Sequence, residues 1–430
     1  MVRFLHMPRK PSLRKNIAAL FAVQIASYAT PLVTLPWLTR VLGASGFGRL
    51  SFCVAVTSYF VLIADYGFNL SATRQIAVHW DDRARRSKIF WNTMTVKMLL
   101  AAAGLPCLLL LTLCVHRLGE EQSLLLINYL TVLGTVLTPT WYFLGTERQA
   151  ILSGITIAIR VISVPAIFLL VRSIKDIQVA ALIPSSMTIV GGILCLAYLM
   201  TDKQLDRMQV DRDELVATLR DGWHLFVSTA SISLYQATNT VVLGLIAGSA
   251  AVGHYSAAEK IIQACQGLLV PISQSVYPRV SRLMQESRDA AFALIRKVLK
   301  IQGSAAFSLS LLLFALAPPL IRFLYGPGYE ETIDVLRWLA VLPFLIGLSN
   351  VFGVQTMMAM GMNQLVSRIL VIAGALNVVT LFVLTHWFGA VGAAMAVAGT
   401  EMFVTVVMAL ILKRRNLPIF RIPLATRVML

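Results

Sequence analysis

Apolar residues along this chain come in long blocks, each closed by a short polar break that carries glycine, proline or charge. A hydrocarbon core about 30 Å thick takes about 20 apolar residues wound as a helix, and runs of that length recur from end to end. Continuous runs suit helices, whereas a membrane barrel would alternate apolar and polar positions. Read against turn signals, the pattern predicts twelve spans, near 16–39, 47–67, 91–115, 123–144, 149–171, 178–200, 222–246, 251–275, 299–320, 332–359, 363–386 and 391–412. The first block follows a basic stretch, Met1 to Lys15, and runs past Pro31 and Pro36 without a small-residue cleavage site. It is expected to be a first span, not a cleaved signal peptide.

Composition agrees. The 430 residues are 57% hydrophobic and 13% charged, and mean hydropathy is +0.76, whereas soluble domains carry about a quarter charged residues. The formal net charge of +17 would suit nucleic acid if the bases clustered on a soluble face. Here they fall in short loops between apolar blocks, so no nucleic acid is expected. Cys53, Cys107, Cys114, Cys195 and Cys265 all lie inside predicted spans without disulfide or metal-ligand spacing, and read as small buried apolar residues. No cofactor and no metal is expected.

The charges orient the chain. An even number of spans puts both termini on one side, and that side carries Arg3, Arg9, Lys10, Arg14, Lys15, the Arg83 to Lys88 cluster, Arg148, Arg207, Arg212, Arg220, the Arg279 to Lys300 group and Lys413 to Arg427. The other side holds only Arg40, Arg49, Arg117, Arg172, Lys175 and Arg322. Both termini are therefore expected in the cytoplasm. Every non-cytoplasmic loop is short, which leaves no room for an extracytoplasmic active site, so the chain reads as no enzyme. Cytoplasmic segments 70–90, 201–221 and 277–298 are long enough for interfacial helices. Gln204 to Arg220, alternating acids and bases, is the best case.

The two halves echo each other. Gly43, Gly48 and Ser51 recur as Gly248, Gly253 and Ser256 at a constant offset of 205, and Gly145-Thr-Glu-Arg is answered by Gly361-Met-Asn-Gln. This predicts two parallel six-helix lobes, residues 1–221 and 222–430, as in transporters that rock two lobes about a shared site. Ionisable groups inside the spans are candidates for that site. Arg160, Lys260, Arg337 and Lys97 are expected to bind substrate, together with Gln24 and Tyr28 on span one and Gln236 on span seven. These come from polar stripes, Gln24/Ser27/Tyr28/Pro31 and Thr229/Ser233/Gln236/Thr240, on equivalent helices. Asp65, Arg74, Glu259 and Glu401 are coupling or structural charges. Bases outnumber acids, which suits an anionic cargo such as a phosphate or diphosphate.

Pro31-Leu-Val-Thr-Leu-Pro-Trp-Leu-Thr-Arg-Val-Leu-Gly43, then Gly46-Phe-Gly48 and Asp65-Tyr-Gly-Phe-Asn-Leu-Ser-Ala-Thr-Arg74, resembles the opening signature of the Wzx-type polysaccharide flippases. Tyr255-Ser-Ala-Ala-Glu-Lys260, Tyr277-Pro-Arg279 and Gly389-Ala-Val-Gly392 are similar to that family's second-half features. The resemblance implies an all-α polytopic fold like that of the MATE and MurJ transporters, with two six-helix lobes. It also implies a cargo, an undecaprenyl-diphosphate-linked oligosaccharide, carried across a bacterial inner membrane. Other polysaccharide-assembly membrane proteins would be its partners. The main alternative is a MATE-like ion-coupled antiporter of small organic cations, which would be expected to carry acids deep in its first lobe. Span one has none, and Asp65 lies near a span end.

Overall fold

The computed structural model describes residues 13–419 apart from 203, 204, 207 and 209; the side chains of 13–29, 31, 32, 224, 225, 227–236 and 268–275 also lie outside the described set. The described residues form helices and no strand. In chain order these are α1 (Leu13–Asp65), α2 (Phe68–Val78), α3 (Arg83–Cys114), α4 (His116–Glu120), α5 (Gln122–Leu137), α6 (Thr140–Gly145), α7 (Gln149–Leu170), α8 (Ile177–Thr201), α9 (Arg212–Glu286), α10 (Arg288–Tyr325), α11 (Glu330–Leu339), α12 (Leu342–Phe352) and α13 (Asn363–Arg414). Among the described residues, nine helical segments are long and apolar enough to cross a bilayer. Two of them, Val33–Val78 and Asn363–Arg414, are 46 and 52 residues long, more than one crossing needs at about 1.5 Å per residue.

Three long helices join successive predicted spans through a glycine. Gly43 (φ 66°, ψ 176°) interrupts α1, Gly248 (φ 86°, ψ 179°) interrupts α9, and Gly389 (φ 54°, ψ −129°) interrupts α13. The first two occupy backbone space open essentially to glycine alone, and they are the glycines that the repeat pairs. A Cβ at either would meet nothing within 4 Å. Backbone conformation, not crowding, therefore explains glycine there.

The second echo shifts in register. Its left-handed residue is Glu147 (φ 52°) in the first half and Gly361 (φ 78°) in the second. The next amide closes the same bond in both, Arg148 N–H to Phe143 O at 2.8 Å and Met362 N–H to Met357 O at 2.9 Å. That is a Schellman closure of a helix C-terminus. Gly361 thus corresponds to Glu147 rather than Gly145, which is small for another reason: a Cβ there would lie 2.8 Å from the Ile76 side chain.

The chain divides into two compact units, Met1–Val241 and Val242–Leu430. The division falls within the seventh predicted span, whereas the repeat placed it ahead of that span. In the first unit α5 and α8 approach closely, because Gly134 and Gly192 leave no side chain between them. A Cβ on Gly134 would sit 2.7 Å from the backbone of Thr188 and Ile189, and one on Gly192 would sit 2.5 Å from Leu137. Small residues at membrane helix contacts allow such close backbone packing. Phe90, Trp141, Tyr142 and Phe143 are fully buried beside them. In the second unit, Phe292 and Ile295 of α10 pack with Val351 and Phe352 of α12 and with Ile369 and Met408 of α13.

Large apolar side chains also cover the outside. Leu113 is 80% exposed, Phe323 77% and Trp387 75%. Such a surface is stable against lipid tails and not against water. It also corrects the reading of the cysteines: Cys53 and Cys195 are buried, but Cys107 and Cys114 are exposed. They lie on the outer face of α3, where a small apolar group is as compatible with lipid as leucine is.

Candidate functional site

In the first unit two of the ionisable groups of the spans, Asp65 and Lys97, meet at one turn. α1 ends on Asp65, and the chain reverses through Tyr66 (φ 42°) and Gly67 (φ 75°) into α2. Lys97, two turns into the apolar part of α3, donates from Nζ to Asp65 Oδ1 at 2.7 Å. Its side chain is 1% exposed and that of Asp65 is 24% exposed. Lys97, expected to bind substrate, is thus enclosed and committed to Asp65, and the two form a single structural unit. Aromatic packing holds the turn: Tyr66 stacks on Phe226 with ring centroids 4.8 Å apart and 11° between planes. Gly222 comes so close that a Cβ would lie 2.9 Å from the Tyr66 ring. Arg74 is exposed on α2.

Arg160 differs. It lies half-buried in the middle of α7, and among the described residues no carboxylate comes within ion-pair distance of it. A guanidinium cannot shed its charge, so Arg160 is this unit's candidate for contact with an anion or with water.

In the second unit Glu259 and Lys260 are half-buried neighbours on α9. Lys260 Nζ donates to Gln263 Oε1 at 3.1 Å, and among the described residues neither charge makes an ion pair. Glu401 is half-buried on α13 and likewise has no ion-pair partner among the described residues. Arg337 is exposed on α11; its Nη1 lies 3.5 Å from Asp334 Oδ1, and its guanidinium sits 5.8 Å from the centre of the Phe314 ring. The side chains of Gln24, Tyr28 and Gln236, with most of both polar stripes, lie outside the described set. Thr240, which ends the second stripe, is buried.

Two features lie outside what the sequence pattern alone suggested. The stretch Gln204 to Arg220, expected to be the best case for an interfacial amphipathic helix, becomes helical only at Arg212, and its acids are used against the basic start of α3. Glu214 accepts from Arg85 at 2.7 Å, Lys88 at 2.9 Å and Asn92 at 2.8 Å. Asp206 pairs with Arg83 at 2.8 Å, its amide donates to Ser87 Oγ at 2.9 Å, and its carbonyl accepts from Trp91 Nε1 at 3.1 Å. Asp211 takes Lys88 at 3.3 Å. Backbone amides, that of Asp213 foremost, and the Lys88 ammonium hold the Asp211 carboxyl below its ordinary range. For Glu214 burial pushes upward, but bonds from Lys88 and Arg85 outweigh it and leave the carboxyl below its usual value. The alternating charges were the signal, and they match a neighbouring helix rather than a lipid surface.

A second such feature is His254 of α9, next to the repeat residue Gly253. Its Nδ1 lies 2.9 Å from Thr332 Oγ1 and its Nε2 3.6 Å from Glu331.

Residues 13–284 match the polysaccharide biosynthesis protein family. A protein of Escherichia coli (strain K12) described as a candidate O-antigen transporter is 36% identical over 408 residues, covering 95% of this chain and 98% of its own. Two solved structures share the fold. An inward-facing multidrug resistance transporter of the MATE family, in the MOP superfamily, superposes with a TM-score of 0.69 at 14% identity, covering 93% of this chain and 98% of its own. The lipid II flippase MurJ, in an inward closed conformation, superposes with a TM-score of 0.68 at 13% identity, covering 93% and 87%. On the family match over most of its length and the whole-length relationship to the Escherichia coli protein, the chain belongs to the polysaccharide biosynthesis protein family, with the multi-pass helical fold of MATE and MurJ transporters.

Proposed function

We propose that the protein is a flippase that carries an undecaprenyl-diphosphate-linked oligosaccharide, an O-antigen or related repeat unit, from the cytoplasmic to the periplasmic leaflet of the bacterial inner membrane. The observation that carries this reading is the relationship, over 95% of the chain, to a candidate O-antigen transporter. Charge placement adds the orientation, with both termini cytoplasmic. The process makes and breaks no covalent bond, so the protein's task is to lower the barrier to moving a charged, hydrated headgroup through hydrocarbon.

Two cations are suited to that task. An Arg at the centre of a span costs roughly 2.5–3.5 kcal/mol or more, and a diphosphate lodged beside it offsets that cost on both sides. Arg160, with no ion-pair partner among the described residues, is the first candidate, and its guanidinium can hold phosphate oxygens in bidentate fashion. Lys260 is the second. Gln24, Tyr28 and Gln236 supply hydrogen bonds to the glycan in a cationic central cavity that alternates its access. The lipid tail stays in the bilayer. Glu259 and Glu401 are the carboxylates available to carry a coupling proton, and Lys97–Asp65 and Arg74 are structural. Arg337 leaves the substrate set, because it lines a groove of its own.

Deleting the gene and restoring it on a plasmid tests the reading through the surface glycan displayed on a gel. Deletion should abolish the polymer and accumulate its lipid-linked precursor, wild type should restore it, and Arg160→Ala or Lys260→Ala, expressed at normal level, should not. Full surface glycan in both variants overturns the cationic site.

A further inference from the structure

α10, α11 and α13 enclose a groove of about 750 Å³ within the second unit. Its walls are mainly apolar, Phe314 and Met402 among them, and both of these side chains are more than half exposed. Trp338 stands at the same groove and is 46% exposed. Among the described residues, the charged side chains lining it are Arg337 and Asp334. One turn apart on α11, they are separated by 3.5 Å, at the limit of a hydrogen bond and weak as an ion pair between exposed side chains.

We infer that this groove is a binding site for an aminophospholipid, its phosphate on Arg337, its ammonium on Asp334 and an acyl chain along the apolar walls. Three observations converge on that occupant. The groove is open and apolar on a chain whose outer surface is built for lipid, so a hydrocarbon chain fits it. Arg337 and Trp338, adjacent in sequence, both line it, and Arg and Trp are side chains suited to the headgroup level of a bilayer. The charge pattern then selects among lipids. A purely anionic headgroup would bring its phosphate beside the Asp334 carboxylate with nothing to neutralise that acid. A choline headgroup reaches the same acid but donates it no hydrogen bond. A phosphate followed by a primary ammonium satisfies both side chains at once and replaces their weak mutual contact with two charge-assisted hydrogen bonds. This site is independent of the flippase reading, since it serves a resident lipid and not the cargo.

Gly399 allows the groove to be filled without disturbing its walls. It lines the groove, and a Cβ there meets nothing within 4 Å. The test is native mass spectrometry of the full-length protein, stripped of lipid and re-exposed to an equimolar mixture of phosphatidylethanolamine, phosphatidylcholine and phosphatidylglycerol, with undecaprenyl phosphate added in a parallel run. Phosphatidylethanolamine should be retained above the other lipids. Asp334→Asn should lower its preference over phosphatidylcholine by roughly two- to fivefold, the range for an exposed charge pair. Arg337→Gln should weaken all phospholipids, and Gly399→Leu should abolish specific retention. Asp334 is exposed, so Asp334→Asn keeps the test decisive if Gly399→Leu fails to fold. Preference for phosphatidylglycerol, displacement by undecaprenyl phosphate, or retention unchanged in Asp334→Asn overturns the assignment.

Discussion

Asp65→Asn is the most revealing single substitution in the first unit, because it strands the ammonium of Lys97 in a place that is 1% exposed. Breaking a buried ion pair from one side costs about 3–5 kcal/mol. With Asp65 itself 24% exposed, some water reaches the pair, and a value near the lower end, about 3 kcal/mol, is expected. The reciprocal change, Lys97→Met, leaves a carboxylate with part of its surface in water and should cost less, about 1–2 kcal/mol. The double variant leaves no buried charge and fills the same volume, so it should cost less than the sum of the two, with a coupling of about 2 kcal/mol or more. Denaturant titration in detergent micelles, followed by tryptophan fluorescence, measures all four corners of the cycle. Costs additive within about 0.5 kcal/mol, or Asp65→Asn milder than Lys97→Met, would refute the view that Lys97 is a structural cation held by one acid.

The kink glycines make a sharp comparison with an ordinary helical one. Gly43→Ala and Gly248→Ala should each cost about 1–3 kcal/mol from the backbone alone. Gly154→Ala in α7, where a Cβ also meets nothing within 4 Å, should be neutral or stabilise by up to about 1 kcal/mol; equal thermal shifts for all three would count against the glycine account. Gly134→Ala forces a Cβ within 2.7 Å of the α8 backbone and should destabilise by about 1–3 kcal/mol, seen as a lowered melting temperature, and an unchanged one would mean that α5 and α8 are not packed this tightly. The bonds holding 205–214 to α3 depend on ionised Asp211 and Glu214, whose folded-state values lie below ordinary ones. Their contribution is therefore present above about pH 4 and lost as pH falls through the lowered values. Hydrogen exchange in this segment, corrected for its intrinsic pH dependence, should be level from pH 8 to 5 and rise only below about pH 4. Loosening near neutrality would point to other groups.

Long apolar blocks made the helical membrane fold legible, since a bilayer leaves few other ways to satisfy the backbone. The repeat was legible at Gly43 and Gly248 because both need a conformation that other residues rarely adopt. It was misaligned at Gly145 and Gly361, because there the resemblance lay in residue type and the conformation belonged to Glu147. Lys97 and Asp65 were both visible as charges within spans, but 32 residues separate them, and no local spacing announces a pair that only the turn at Tyr66 and Gly67 brings together. The acids of 205–214 were visible too. Their partners on α3 are more than a hundred residues away in sequence, and a periodicity argument sees only the segment itself. Arg160 was read from its depth in a span alone, and among the described residues it carries no ion-pair partner.

The most direct test of the flippase reading is transport by the purified protein. Proteoliposomes would carry a fluorescent undecaprenyl-diphosphate-linked oligosaccharide in one leaflet, with an impermeant quencher reporting its exposure. Leaflet exchange should require the protein, be lost with Arg160→Ala and persist with Arg337→Gln. Exchange no faster than in protein-free vesicles, under conditions where the same preparation restores surface glycan in cells, would contradict the flippase reading.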